Sequence, residues 1–141
     1  MRDLFAVLAY GPDKAKLNTA LGAAAVLAED RSLNITLLVP ALKHCENTVL
    51  ADVLGEKFVK NMVKGQHCTF HDRPVNIKSM QTVNPLSERG VVLALWGGDK
   101  MLKKVDACRL ASAIVVLSWI ESEVEPWVQR NNARVIDIDE A

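Results

Sequence analysis

The sequence has no apolar run long enough to cross a bilayer. Its longest, Leu110–Ile120, has eleven residues with no charge and two hydroxyls, against the roughly 20 that a membrane helix needs. It has no basic excess either. Seventeen Lys and Arg balance seventeen Asp and Glu, which argues against a dedicated nucleic-acid binder, since such proteins gather positive charge to displace counterions from phosphate. The start, Met1-Arg-Asp-Leu-Phe-Ala-Val7, lacks a basic segment followed by a longer apolar core, so no signal peptide is expected. Cysteine is scarce and odd in number: Cys45, Cys68 and Cys108 predict reduced thiols in a cytoplasmic protein. Neither a dinucleotide fingerprint nor a Walker A pattern occurs, because the glycines do not fall at the required spacings.

What the sequence does contain is a set of continuous apolar runs. Leu4–Tyr10, Val91–Trp96 and Leu110–Ile120 show no alternation, as expected of strands covered on both faces by crossover helices, and Asn34–Pro40 is a further strand candidate, stopped by its proline. The run from Leu110 is the candidate central strand. Between the runs the period changes. Leu17, Ala20, Leu21, Ala24, Leu27 and Ala28 recur at helical spacing after Asp13, a candidate N-cap. A second helix fits residues 46–64, with Gly65 as its left-handed stop. A short helix follows Gly97-Gly98-Asp99. A fourth opens on Ser122-Glu123-Val124-Glu125, read as a capping box with Pro126 in its first turn. Residues 65–90 have little period, and the segment is read as a loop followed by a short strand, an edge strand or a hairpin arm. Ala133–Ile138 alternates as a last strand near an edge.

Strands alternating with four helices predict one α/β domain, a three-layer sandwich around a mainly parallel sheet of five or six strands. The arrangement resembles flavodoxin-like and Rossmann-like doubly wound folds, a resemblance of architecture that licenses no activity. In such sheets ligands sit outside the carboxyl ends of the strands. That rule selects Tyr10, Asp13 and Lys14 after the first strand, Trp96, Gly97, Gly98, Asp99 and Lys100 after another, and Ser118, Trp119 and Glu121 after the central one. Two of these loops combine Gly, Asp and Lys before a helix, where backbone N–H groups can hold an anion. Trp96 and Trp119 are candidates for the wall of a pocket for a planar ligand, or for core or interface packing. Asp13, Asp99 and Glu121 could act as acid and base if the sheet brings them together, but each is also what a helix start ordinarily carries.

His44, Cys45, His67, Cys68 and His71 include a Cys-x2-His spacing, yet the other pair is adjacent residues, and no metal or other cofactor is expected. Ser118 ends a strand without the glycine elbow of a nucleophile, and Ser112 lies inside one. The charge is uneven along the chain. Residues 43–109 hold eleven basic and seven acidic side chains, whereas 121–141 hold two and six. Self-complementary association, as a homodimer, is therefore an expectation. Two functions follow: a non-catalytic binding or self-associating module, or a protein that binds a nucleotide or nucleoside at its strand ends. Neither nucleic acid nor membrane is an expected partner.

Overall fold

The computed structural model describes residues 3–11, 13–40 and 49–136. They form seven strands and five helices: β1 (Asp3–Val7), α1 (Lys14–Arg31), β2 (Ile35–Val39), α2 (Val49–Leu54), α3 (Glu56–Val63), β3 (Cys68–Phe70), β4 (Arg73–Ser79), β5 (Gly90–Leu95), α4 (Asp99–Ala107), β6 (Ala111–Leu117), α5 (Glu121–Asn131) and β7 (Arg134–Val135). One sheet runs in the order β3-β4-β2-β5-β6-β1-β7. All of its pairings are parallel except the β3–β4 hairpin. No helix among the described residues is long and apolar enough to cross a membrane.

Both faces of the sheet are covered, which is why the apolar runs do not alternate. On one face Leu37, Leu93, Val115 and Val7 pack under α1, α2 and α3. On the other, Leu38, Val92, Ile114 and Ala6 pack under α4 and α5. Because β5 and β6 separate β1 from β2, α1 must cross both of them to connect its own strands. Its buried side is Ala20, Ala24, Ala25 and Ala28 with Leu17 and Leu21, and such small side chains let a helix axis approach a sheet closely. This order is neither the Rossmann nor the flavodoxin one. The expected central run is β6, flanked by β5 and β1 and buried along almost its whole length.

Several boundaries differ from the expectation. The sheet has seven strands rather than five or six, because part of the segment read as a loop, Cys68–Phe70, forms a hairpin arm beside β4, and the expected last strand is only two residues long. His71 and Asp72 turn that hairpin at φ 51° and 62°, the left-handed pair of a two-residue type I′ turn whose twist matches the strands. The helix read over 46–64 is two helices among the described residues. Gly55, at φ 97°, breaks it, a backbone conformation that glycine adopts without steric cost. The capping box does not form. Helix α5 begins at Glu121 with Ile120 at its cap and no side-chain cap bond, so Ser122 lies within the helix. Pro126 consequently sits in the second turn, on the solvent side, where it forgoes one backbone bond. Asp13 does cap α1, its Oδ1 accepting from the Lys16 N–H at 3.1 Å, and Asn132 ends α5 in the left-handed region.

The 80–89 crossover contains no helix. It is fastened instead by Glu88, which is 5% exposed. Thr36 Oγ1 donates to Glu88 Oε2 at 3.0 Å, and Lys78 Nζ lies 2.8 Å from Oε1. The two partners come from the neighbouring strands β2 and β4, so one carboxylate seals the end of the sheet that α4 and α5 do not reach.

Candidate functional site

The loops after β1 and β6 meet at the carboxyl rim, and they are tied together. Ser118 is fully buried. Its Oγ accepts from the Ala9 N–H at 2.8 Å and donates to the Ala9 carbonyl at 2.7 Å. Beyond it the Gly11 N–H donates to the Trp119 carbonyl at 2.8 Å. Ser118 is thus a structural clamp. Its hydroxyl hydrogen and one of its two lone pairs are engaged by Ala9, and the side chain is closed off from solvent.

The remaining predicted residues take local roles. Asp13 caps α1. Lys14 Nζ faces Asp52 of α2 at 3.6 Å. Asp99, the first residue of α4, pairs with Lys103 at 3.3 Å, and Lys100 is exposed beside it. Glu121 is the exposed first residue of α5. Gly97 and Gly98 are packing glycines: a β-carbon on Gly97 would overlap Met101, and one on Gly98 would overlap the Glu123 carboxylate. An acidic side chain therefore already stands against the α4 N-terminus, which disfavours a second anion there.

Trp96 and Trp119 do meet. Their ring centroids are 6.4 Å apart with planes at 89°, an edge-to-face arrangement. Trp119 is 44% exposed and Tyr10 77%, so two aromatic rings face outward at this rim. Trp96 itself packs against the cluster under α1, and two costs fall on it. Its backbone is held at φ 60°, which for a bulky residue costs about 1–3 kcal/mol. Its indole Nε1–H is buried with no hydrogen-bond partner among the described residues, a further cost of about 1–3 kcal/mol. Sequence reasoning could name Trp96 but not this strain, because it arises only where β5 turns toward β6, the Trp96 N–H bonding to the Leu117 carbonyl at 2.8 Å.

Of the metal-type side chains, His44 and Cys45 lie outside the described residues. Among the described residues no group of three or more His, Cys, Asp or Glu gathers as an ion site. His71 instead stacks its edge on Phe70 and faces Glu29 at 3.8 Å.

The amino rim holds what the sequence reading passed over. Every arginine among the described residues lies there: Arg31 ends α1, Arg73 opens β4, Arg89 and Arg109 precede β5 and β6, Arg130 lies in the last turn of α5 and Arg134 opens β7. The signal was available, since most of these arginines stand next to a run of strand residues. Three cavities open on this rim. One of about 580 Å³ is lined by Asp3, Phe5, Arg31, Asn132 and Arg134 among others. One of about 510 Å³ is lined by Pro85, Leu86, Ala107, Arg109 and Leu110. The smallest, about 180 Å³, lies beside Asn34, Arg89 and Gly90. In the first, Arg31 donates to Asp3. That hydrogen bond, aided by the charges of Arg31 and Arg134, holds the Asp3 carboxyl below its ordinary 3.8.

Compared with protein families, curated proteins and solved structures, the chain finds no match in any of the three.

Proposed function

We propose that this chain is a binding domain that takes a small, flat heteroaromatic molecule of the nucleoside class at its carboxyl rim, against Trp96 and Trp119. The observation that carries the reading is Trp96, where a left-handed backbone and an unpartnered buried indole N–H coincide. Strained backbone clusters at functional sites, and a buried donor without a partner calls for a group that completes it. A ring acceptor or carbonyl of a nucleobase would satisfy the N–H, and its face would stack on exposed Trp119 or Tyr10. The Glu123 carboxylate beside Gly98 favours a neutral nucleoside over a nucleotide, whose phosphates it would repel. With Ser118 engaged and Asp13 and Asp99 in helix-start roles, binding is better supported than catalysis.

The test is a titration of the native tryptophan fluorescence with a panel of nucleosides and nucleotides, alongside melting temperatures. Nucleosides should quench the emission and raise the melting temperature. Trp119→Ala should cost about 1–3 kcal/mol of affinity, the usual worth of one base stacked on an aromatic ring. An unmoved emission and an unmoved melting temperature across the whole panel would refute the proposal.

A further inference from the structure

We infer that the apolar cavity at the amino rim receives the acidic end segment of a second copy of this chain, joining molecules head to tail. The cavity, about 510 Å³, is lined by Pro85, Leu86, Ala107, Arg109 and Leu110. Leu86 is 81% exposed and Leu110 48%, two large apolar side chains from different segments beside one opening, a patch of the kind that marks interaction sites. Arg109 at its border is exposed and engages in no ion pair among the described residues. The surface therefore asks for an apolar anchor followed by negative charge.

The chain carries such a segment. Val135-Ile-Asp-Ile-Asp-Glu140 alternates apolar and acidic residues, and an extended stretch presents alternate side chains to opposite sides. Ile136 is held on its own protomer, its N–H donating to the Ala6 carbonyl at 2.8 Å and its side chain against the core, so Ile138 would fill the space beside Leu110 while Asp139 and Glu140 meet Arg109. The three residues from Ile138 to Glu140 would reach about 10 Å when extended, enough to enter such an opening. β7 runs parallel to β1, toward the carboxyl rim, whereas the cavity opens at the amino rim. A contact in trans therefore continues the chain's direction, and one in cis would have to reverse it. Because the two surfaces differ, one such contact leaves both copies with a free partner surface: reciprocal exchange closes a dimer, and one-way contacts build larger rings or open chains.

The probe is a fluorescein-labelled peptide of residues 133–141, titrated with the full chain at low salt and read by anisotropy. It should bind, and Arg109→Glu should weaken binding about tenfold or more. A peptide with Asp139 and Glu140 both changed to Lys should recover affinity for the Arg109→Glu protein. In parallel, the mass of the full chain by sedimentation should rise with concentration, and that of a chain ending at Ile136 should stay at one protomer. Absence of binding up to about 1 mM protein, the weak end of specific association, would overturn the inference. So would equal binding by Arg109→Glu, or identical masses for the full and shortened chains.

Discussion

The two rims of the sheet solve opposite problems. At the carboxyl rim, between β1 and β6, the chain bonds to itself: a buried serine and backbone groups close the crevice, and the aromatic pair stands beside the closure. At the amino rim the backbone is close-packed between β2 and β5, yet the arginines project singly and leave cavities between them. The rule that ligands sit at the carboxyl ends of parallel strands locates loops that leave the sheet in different directions. It does not say whether those loops remain apart. Here β6 sits directly beside β1, and the two loops are close enough to be clamped by one hydroxyl.

The sharpest way to break the comparison is through glycine. Gly90, at the amino rim, has φ 82°, and a β-carbon there would lie 2.5 Å from the Asn34 carbonyl oxygen. Gly11, at the carboxyl rim, has φ 66° and open space around it. Gly90→Ala should cost about 3–4 kcal/mol, combining backbone strain with a clash against main chain that cannot rotate away. Gly11→Ala should cost about 1 kcal/mol, the strain alone. Equal urea midpoints for the two variants would mean that the amino rim can relax, contrary to its close packing.

Ser118→Ala addresses the clamp itself. It leaves the Ala9 N–H and carbonyl buried and unpaired by any side chain, at an expected cost of about 2–3 kcal/mol. For a domain of this size that is a fall in melting temperature of roughly 10 °C. Ser118→Cys, which restores weaker bonding in a similar volume, should recover part of the loss. A Ser118→Ala protein as stable as its parent would show that water or a small shift satisfies Ala9, and that the two loops are not held by this hydroxyl.

Most of the architecture was legible because it depends on burial. Runs such as Val91–Trp96 and Leu110–Ile120 carry the signature of strands covered on both faces, and the alanine face of α1 announces a helix lying on a sheet. What was illegible depends on short-range backbone choices or on strand order. Gly55 could have been a helical residue, and only the fold makes it a break. The type I′ turn at His71-Asp72 lacks the usual Asn-Gly or Asp-Gly signature. Glu121 opens α5 ahead of a Ser122 that has all the features of a cap. The site was legible as a set of loops but not as an arrangement. Ser118 reads as a possible nucleophile until Ala9 is seen against it, and no periodicity could show that β6 lies beside β1 rather than β2. The amino-rim arginines stand beside strand starts in the sequence, but the ligand rule for parallel sheets points to the opposite end.

The smallest effect concerns the pair at the edge of the cavity of about 580 Å³. Arg31 bonds to Asp3, and both side chains are substantially exposed, at 36% and 46%. Exposed pairs of this kind contribute little to stability, but they leave a signature in pH. Because the Asp3 carboxyl is held below its ordinary 3.8 in the folded protein, the folded state binds its proton less readily than the unfolded chain does. The contribution is therefore complete above about pH 4, where the unfolded carboxyl is ionised, and it declines as pH falls through the lower folded value. Asp3→Asn removes that dependence. Melting temperatures of the two proteins measured from neutral pH downward should differ slightly in favour of the parent, and the gap should close in acid. A gap that stays constant through the acid range would assign the difference to the substitution's packing rather than to the charge on Asp3. The Asp3–Arg31 pair would then add no charge-dependent stability to the amino rim, whose order would rest on contacts such as the Arg73 Nε–H donating to the Leu33 carbonyl at 2.8 Å.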